Sequence, residues 1–308
     1  YVSSTRFAHR RSFEDHICPY LGSMMMDEIT EGAISLWEET LEAEMISASA
    51  IRKAYSLMRR LMKTAADQHL IPYFPRMPKR FDSIRSEKQT LSPKQEELIF
   101  QNRKKDLFCM ATEISRRNGL RRGEVCGLQS TDIDYGRMLF WVRRQITSLW
   151  QDGEGRTIYK PHTKACKIRF VRMDEISADL FRNLEVIQER RRWADGRKNK
   201  ERWLFADCNG AIPFPEDLSA AFAKEMQETD RKVTFHSLRM TYICKRYQEY
   251  RREGNDALNR ICRDVGITKK TAMGYLRKND EGKKVVAEIL GEWAEKERTE
   301  QEEYKGND

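Results

Sequence analysis

At 308 residues the chain is long enough for two domains, each burying a core of its own. Its formal charge of +9 and pI near 9.1 favour a polyanionic partner, nucleic acid above all; the 34% of charged residues mix both signs, which excludes a simple basic tail. Seven cysteines with no C-x-x-C pair speak for reduced, intracellular thiols and against a disulfide frame or zinc ribbon, and no apolar run approaches the roughly 18 residues of a membrane span.

From about Ser12 to His69 the pattern predicts a helical unit. Asp27-Glu28-Ile29-Thr30 opens one helix, with Ile34, Leu36, Trp37 and Leu41 as its apolar stripe. A second amphipathic helix runs from Ala48 to Leu70, carrying Ile51, Tyr55, Leu57, Met58, Leu61, Met62 and Ala65 on one face. Arg52, Lys53, Arg59, Arg60 and Lys63 lie on its remaining surface and are candidate DNA contacts. Pro72, Pro75 and Pro78 then remove backbone donors and break the helical pattern. With Lys79, Arg80, Arg85 and Lys88, residues 72–91 read as an extended basic linker after a helical domain at 1–71.

Ser92-Pro93 supplies an N-cap and a proline at the first helical position, opening a second domain over 92–282. Its first helix is expected over about 93–117, ending at Asn118-Gly119, with a short helix over about 121–129. Met138 to Thr147 reads as a strand, Asp152-Gly153-Glu154-Gly155 as a turn, and Thr157–His162 and Ile168–Met173 as two more strands. The rest is mostly helical, interrupted by Asn209-Gly210, Pro213 and Pro215. Residues 283–308 form a C-terminal helix and tail, whose Val285, Val286, Ile289, Leu290 and Trp293 are spaced to dock on a neighbouring protomer or on their own domain.

Basic and hydroxyl groups recur in a telling order: GLRRGE (119–124), HTK (162–164), HSLR (236–239) and TAMGYLR (271–277). Moving a phosphodiester requires positive charge on its non-bridging oxygens, a nucleophile that loses a proton and a leaving alkoxide that gains one. Arg121 and Arg239 suit the first task, because a planar guanidinium donates parallel bonds to phosphate and stays ionised. Lys164, on a hairpin tip, can reach a departing 5′ oxygen. His236 precedes Arg239 by one helical turn and can exchange a proton with the nucleophile. Tyr275 is the candidate nucleophile, with Lys269, Lys270 and Arg277 as nearby cations for a phenol whose free pKa is about 10. Tyr242 and Tyr247 are rivals that fall in an apolar helical pattern.

These segments together resemble the tyrosine recombinases, the phage-integrase family. GLRRGEVCGLQSTDID (119–134) is similar to the family's first arginine box, with Glu124 at its acidic position; YKPHTKACKIRFVRM (159–173) resembles the β-hairpin lysine motif; TFHSLRMTYICKRY (234–247) resembles the H-x-x-R box; TAMGYLR resembles the nucleophile segment. The resemblance spans roughly residues 12–280 and implies a mainly α fold with a small antiparallel sheet, in which a helical, SAM-like core-binding domain is joined to a mixed α/β catalytic domain. It implies a transposon or phage integrase that cuts and rejoins double-stranded DNA through a 3′-phosphotyrosyl intermediate, without metal, ATP or other cofactor. Arg121, Lys164, His236, Arg239 and Tyr275 would be its catalytic residues and Glu124 a support. It further implies a homotetramer on two DNA sites, an accessory directionality factor, and a bacterial, cytoplasmic, nucleoid-associated protein with no membrane contact. One departure stands out: where the family carries a His or Trp nine residues before the tyrosine, this chain has Gly266. The chief rival reading is a non-catalytic DNA-binding regulator, in which VGITKKTAMGYL serves as a helix-turn-helix segment. A type IB topoisomerase and a nuclease rank below it.

Overall fold

The computed structural model describes residues 3–77, 89–151, 154–160, 168–194, 196, 198–229, 233–254, 256–277 and 286–287. The chain divides into two compact units, Tyr1–Ser86 and Glu87–Asp308, and the division falls inside the segment read as a linker. Lys79, Arg80, Arg85 and Lys88, and the C-terminal segment 283–308 apart from Val286 and Ala287, lie outside the described residues.

The first unit is helical: α1 (Ser3–His16), α2 (Cys18–Leu21), α3 (Glu31–Ala43) and α4 (Ala48–Asp67). Thr30 and Ser47 cap α3 and α4, their hydroxyls accepting from the backbone N–H groups of Ala33 and Ala50. Ile51, Tyr55, Leu57, Met58, Met62 and Ala65 of α4 bury in one cluster with Ile34, Trp37 and Leu41 of α3. The Trp37 indole N–H donates to the His16 carbonyl at 2.6 Å, tying α3 to the end of α1. Two expected stripe residues fall elsewhere: Leu36 and Leu61 are exposed. Leu36 lies two residues from Ile34, about 200° round the helix, and Glu38 takes the buried position instead.

In the second unit Ser92 and Gln95 form a reciprocal capping box at the start of α5 (Pro93–Asn102). The single helix expected over 93–117 is two, because Asp106 caps a new helix, α6 (Leu107–Asn118), by accepting from Cys109 N at 2.8 Å. α7 (Arg122–Cys126) follows, and then a small antiparallel sheet. Strands β1 (Ile133–Asp134), β2 (Leu139–Val142) and β5 (Arg169–Arg172) pair in the order β1-β2-β5; β3 (Gln145–Gln151) and β4 (Glu154–Lys160) form a separate hairpin. The strand expected over Met138–Thr147 therefore breaks at Arg143-Arg144. There the Arg144 guanidinium turns inward onto Asp132 and the Gly127 carbonyl, leaving the ladder to restart at Gln145.

Helices complete the unit: α8 (Glu175–Ala194), α9 (Pro215–Glu225), α10 (Phe235–Glu253), α11 (Ala257–Val265) and α12 (Lys269–Leu276). Pro215 starts α9 rather than interrupting one, at the position where its missing N–H costs nothing. The main core packs α6, α7 and α8 against the sheet, with Phe140 and Phe181 edge to face. A second cluster, Ile243, Cys244, Tyr247, Ile261, Val265 and Leu276, pins α11 and α12 to α10.

Candidate active site

α6 ends at Gly119 in the left-handed conformation (φ 63°), its N–H returning to the Ser115 carbonyl at 2.8 Å. A Cβ there would overlap the Tyr242 ring of α10, so a side chain is excluded by both backbone and space. This tight turn delivers Arg121 as the N-cap of α7, one turn before Glu124. Glu124 is fully buried. Its carboxylate accepts from Arg121 N at 2.9 Å, from Arg121 Nη1 at 2.6 Å, and from Arg169 Nη2 and Nη1 at 2.7 and 3.1 Å, with Arg239 Nη1 at 3.7 Å. Burial alone would raise this carboxyl. Arg169 first, then Arg239 and Arg121, overcome it and hold the group down at about 2.

Arg239 is completely enclosed, its two terminal nitrogens donating to the carbonyls of Gly119 and Val265, the latter at 2.7 Å. Burial pushes its guanidinium down to about 9 against the pull of Glu124, so it stays charged at neutral pH. The structure thus sets Arg239 behind the site wall, as a fixed positive charge joining the arginine box to the end of α11.

The open face of this charge cluster is a cleft of about 850 Å³, lined by Arg121, His236 and Tyr275 together with Arg122, Gln145 and Glu216. His236, in the first turn of α10, points its Nε2 to within 3.0 Å of the Tyr275 hydroxyl on α12. The rings meet at a tilt, with centroids 5.4 Å apart. Both side chains are half-buried and line the cleft. The rival tyrosines sit elsewhere: burial pushes Tyr242 up to about 12, and Tyr247 is enclosed between α10 and α11. Lys269 and Lys270 are exposed on the first turn of α12, capped by Thr268. Lys164 lies outside the described residues. Among those residues, no group of three His, Cys, Asp or Glu side chains is arranged to hold a metal ion.

The sequence reading missed two features. Arg169 is one: the β5 alternation turns it inward with Val171, and a charge at an inward strand position was the available signal. The other is a bridge at the cleft rim, where Glu216 accepts from Arg122 Nη2 at 3.0 Å and from the Ser148 hydroxyl, linking α7, α9 and β3. Nothing in the spacing of those residues announces it.

No protein-family model matches the chain, and no curated protein sequence matches it. Solved structures do. A Tn1549 transposon integrase in complex with transposon right-end DNA is similar over 94% of this chain and 95% of that one, with a TM-score of 0.73 at 19% identity. A lambda integrase dimer bound to a core site matches over 92% and 90%, with a TM-score of 0.62 at 16% identity. The chain has the tyrosine recombinase fold. Within that fold, Arg121, His236 and Tyr275 line one cleft of the second unit. A lambda integrase tetramer bound to a Holliday junction is also similar, covering 92% of this chain and 73% of that one. Among the described residues no helix is long and apolar enough to cross a membrane.

Proposed function

We propose that the chain is a site-specific DNA recombinase that integrates or excises a mobile element, with Tyr275 as its nucleophile. The observation that carries this reading is the 3.0 Å approach of His236 Nε2 to Tyr275 Oη in a cleft that Arg121 also lines. The Tyr275 hydroxyl gives up its proton, with His236 in position to take it, and the phenolate oxygen attacks the scissile phosphorus. The bond from phosphorus to the 5′ oxygen breaks, leaving a 3′-phosphotyrosyl link, and the departing oxygen takes a proton from Lys164 to become a 5′-hydroxyl. Arg121 holds the non-bridging oxygens from the cleft. Arg239 adds a fixed positive charge from behind, where low dielectric strengthens its field. A 5′-hydroxyl of a second strand then reverses the same steps, so neither ATP nor hydrolysis is required.

The similar integrases are complexes with transposon-end DNA, a core site and a Holliday junction, the last as a tetramer. By that likeness this chain acts on duplex recombination sites as a homotetramer, with the exposed cations of α4 and of the α12 start as DNA contacts. The test is covalent trapping on a pool of nicked suicide duplexes with a randomised core. An SDS-resistant adduct from the wild type but not from Tyr275→Phe is the expected result. Tight binding with no adduct from either would favour a non-catalytic DNA-binding regulator.

A further inference from the structure

Arg169 is among the most enclosed charges of the second unit, and the strand cleavage proposed above assigns it nothing. It opens β5, whose alternation sends Arg169 and Val171 inward and Phe170 and Arg172 outward. A guanidinium therefore stands where the strand pattern calls for an aliphatic side chain, and burying an ion there is costly unless it is paired. Its pairing is with Glu124, through two parallel bonds of 2.7 and 3.1 Å in the bidentate geometry that best suits arginine and carboxylate.

The same side chain has a second neighbour. α11 ends at Gly266 in the left-handed conformation, and a Cβ added there would meet Arg169 Cδ at 3.4 Å and Nη1 at 3.7 Å. The Arg169 stem thus lies directly under the turn between α11 and α12, nine residues before Tyr275. Arg239 grips the same turn through the Val265 carbonyl. One side chain therefore touches both the carboxylate that orients Arg121 and the turn that leads to the tyrosine.

We propose that Arg169 is a positioning residue for strand cleavage: it fixes the Glu124 carboxylate, which aims Arg121 into the cleft, and it seats the turn that sets Tyr275. The inference rests on the strand-cleavage reading. The charged groups facing Glu124 are Arg121 from the start of α7, Arg169 from β5 and Arg239 from α10. Of these Arg169 does most to hold the carboxyl down against burial. Without it the carboxyl rises, and protonation of Glu124 at mildly acidic pH releases Arg121.

The experiment takes the sequence most enriched in wild-type adducts from the randomised nicked pool as its substrate. Adduct formation in a single turnover, affinity for the uncut duplex and thermal unfolding are measured for wild type, Arg169→Lys and Arg169→Met from neutral to mildly acidic pH. Arg169→Met should cleave roughly a hundredfold more slowly at saturating DNA, as expected when a reacting group is misplaced by about 1 Å, with affinity within about threefold of wild type. Its rate should fall further as the pH drops through a range where the wild type is flat. Adding Glu124→Gln should abolish that extra fall. Arg169→Lys keeps the charge and loses the parallel bonds, so it should lie between the two, and it carries the test should Arg169→Met not fold. A folded variant with the wild-type rate and a flat profile would overturn the inference alone. So would losses of rate and affinity that merely track the unfolded fraction. No adduct from the wild type on any duplex in the pool would overturn the cleavage reading and this inference with it.

Discussion

Tyr275 Oη and His236 Nε2 lie 3.0 Å apart across the packing of α12 on α10. Ile243 and Cys244 on α10 and Leu276 on α12 hold the two helices in one cluster, so the pair is set by the core rather than by a loop. His236→Ala should therefore leave DNA affinity unchanged and slow adduct formation roughly 10²- to 10⁴-fold, the usual worth of a positioned proton-transfer group. Single-turnover trapping against filter binding on the same duplex separates the two. Equal loss of both would place His236 in binding alone.

Glu124 ties the arginines together, and its ionisation should be visible in stability. Its folded value of about 2 lies below the ordinary 4.5, so the folded state releases this proton more readily than the unfolded one. The resulting stabilisation is full above about 4.5 and is lost as pH falls toward 2. Glu124→Gln leaves Arg121, Arg169 and Arg239 facing one another without a counter-charge and should cost about 3–5 kcal/mol at neutral pH. Urea melts should show the gap between variant and wild type narrowing as the pH drops through that window. A gap independent of pH would mean that the packing, not the charge, was lost.

Gly119→Ala probes the turn that presents Arg121. The left-handed φ of 63° and the overlap with the Tyr242 ring oppose any side chain, so the loss should exceed about 1 kcal/mol. Tyr242→Ala in the same chain relieves the overlap and leaves the backbone strain. The double variant should therefore be more stable than the sum of the singles by roughly 0.5–3 kcal/mol, read from thermal or urea unfolding. Strict additivity would show that the two do not meet.

Glu216 sets a negative charge at the rim of an otherwise cationic cleft and holds Arg122 by a 3.0 Å bond. Glu216→Gln frees Arg122 for phosphate and removes a repulsion. Affinity for duplex DNA should rise, and the dependence of log affinity on log salt should steepen by about 1. An unchanged slope would mean that Arg122 already meets phosphate in the complex.

Much of this site was legible because its chemistry is local. Asn118-Gly119 marks a helix end whatever surrounds it, Ser92-Pro93 marks a start, and one helical turn joins His236 to Arg239. What could not be read was long-range. Arg169 meets Glu124 across 45 residues and Ser148 meets Glu216 across 68, partnerships that only the closed fold creates. The pattern also misled where polarity and burial part company. Arg144 falls inside the stretch that reads as one strand, Met138–Thr147, yet it is buried on Asp132 and the strand divides there. On α3 and α4 apolar character alone does not settle burial: the helical angle sends Leu36 to solvent, and Leu61 is exposed although it lies between the buried Leu57 and Ala65 on the same face.

The cations of α4 should differ in their worth to DNA binding. Lys53, Arg59 and Lys63 are exposed, whereas Arg60 is engaged, with Nη2 3.0 Å from His9 Nε2 and Nε donating to the Ser56 carbonyl at 3.3 Å. Burial first, and then Arg60 itself, hold the His9 imidazole below its ordinary value, so it remains neutral and can accept that bond. Moving Arg60 onto a phosphate would break two bonds, while Arg59 and Lys63, exposed on α4, give up no such bond among the described residues and release counterions directly. Arg59→Gln with Lys63→Gln should lower the steepness of the salt dependence by roughly 2, and Arg60→Gln by less than 1. Cleavage at saturating DNA should be unchanged in both, since none of these residues belongs to the unit that carries Tyr275. An undiminished slope in the double variant would remove α4 from the DNA-binding surface.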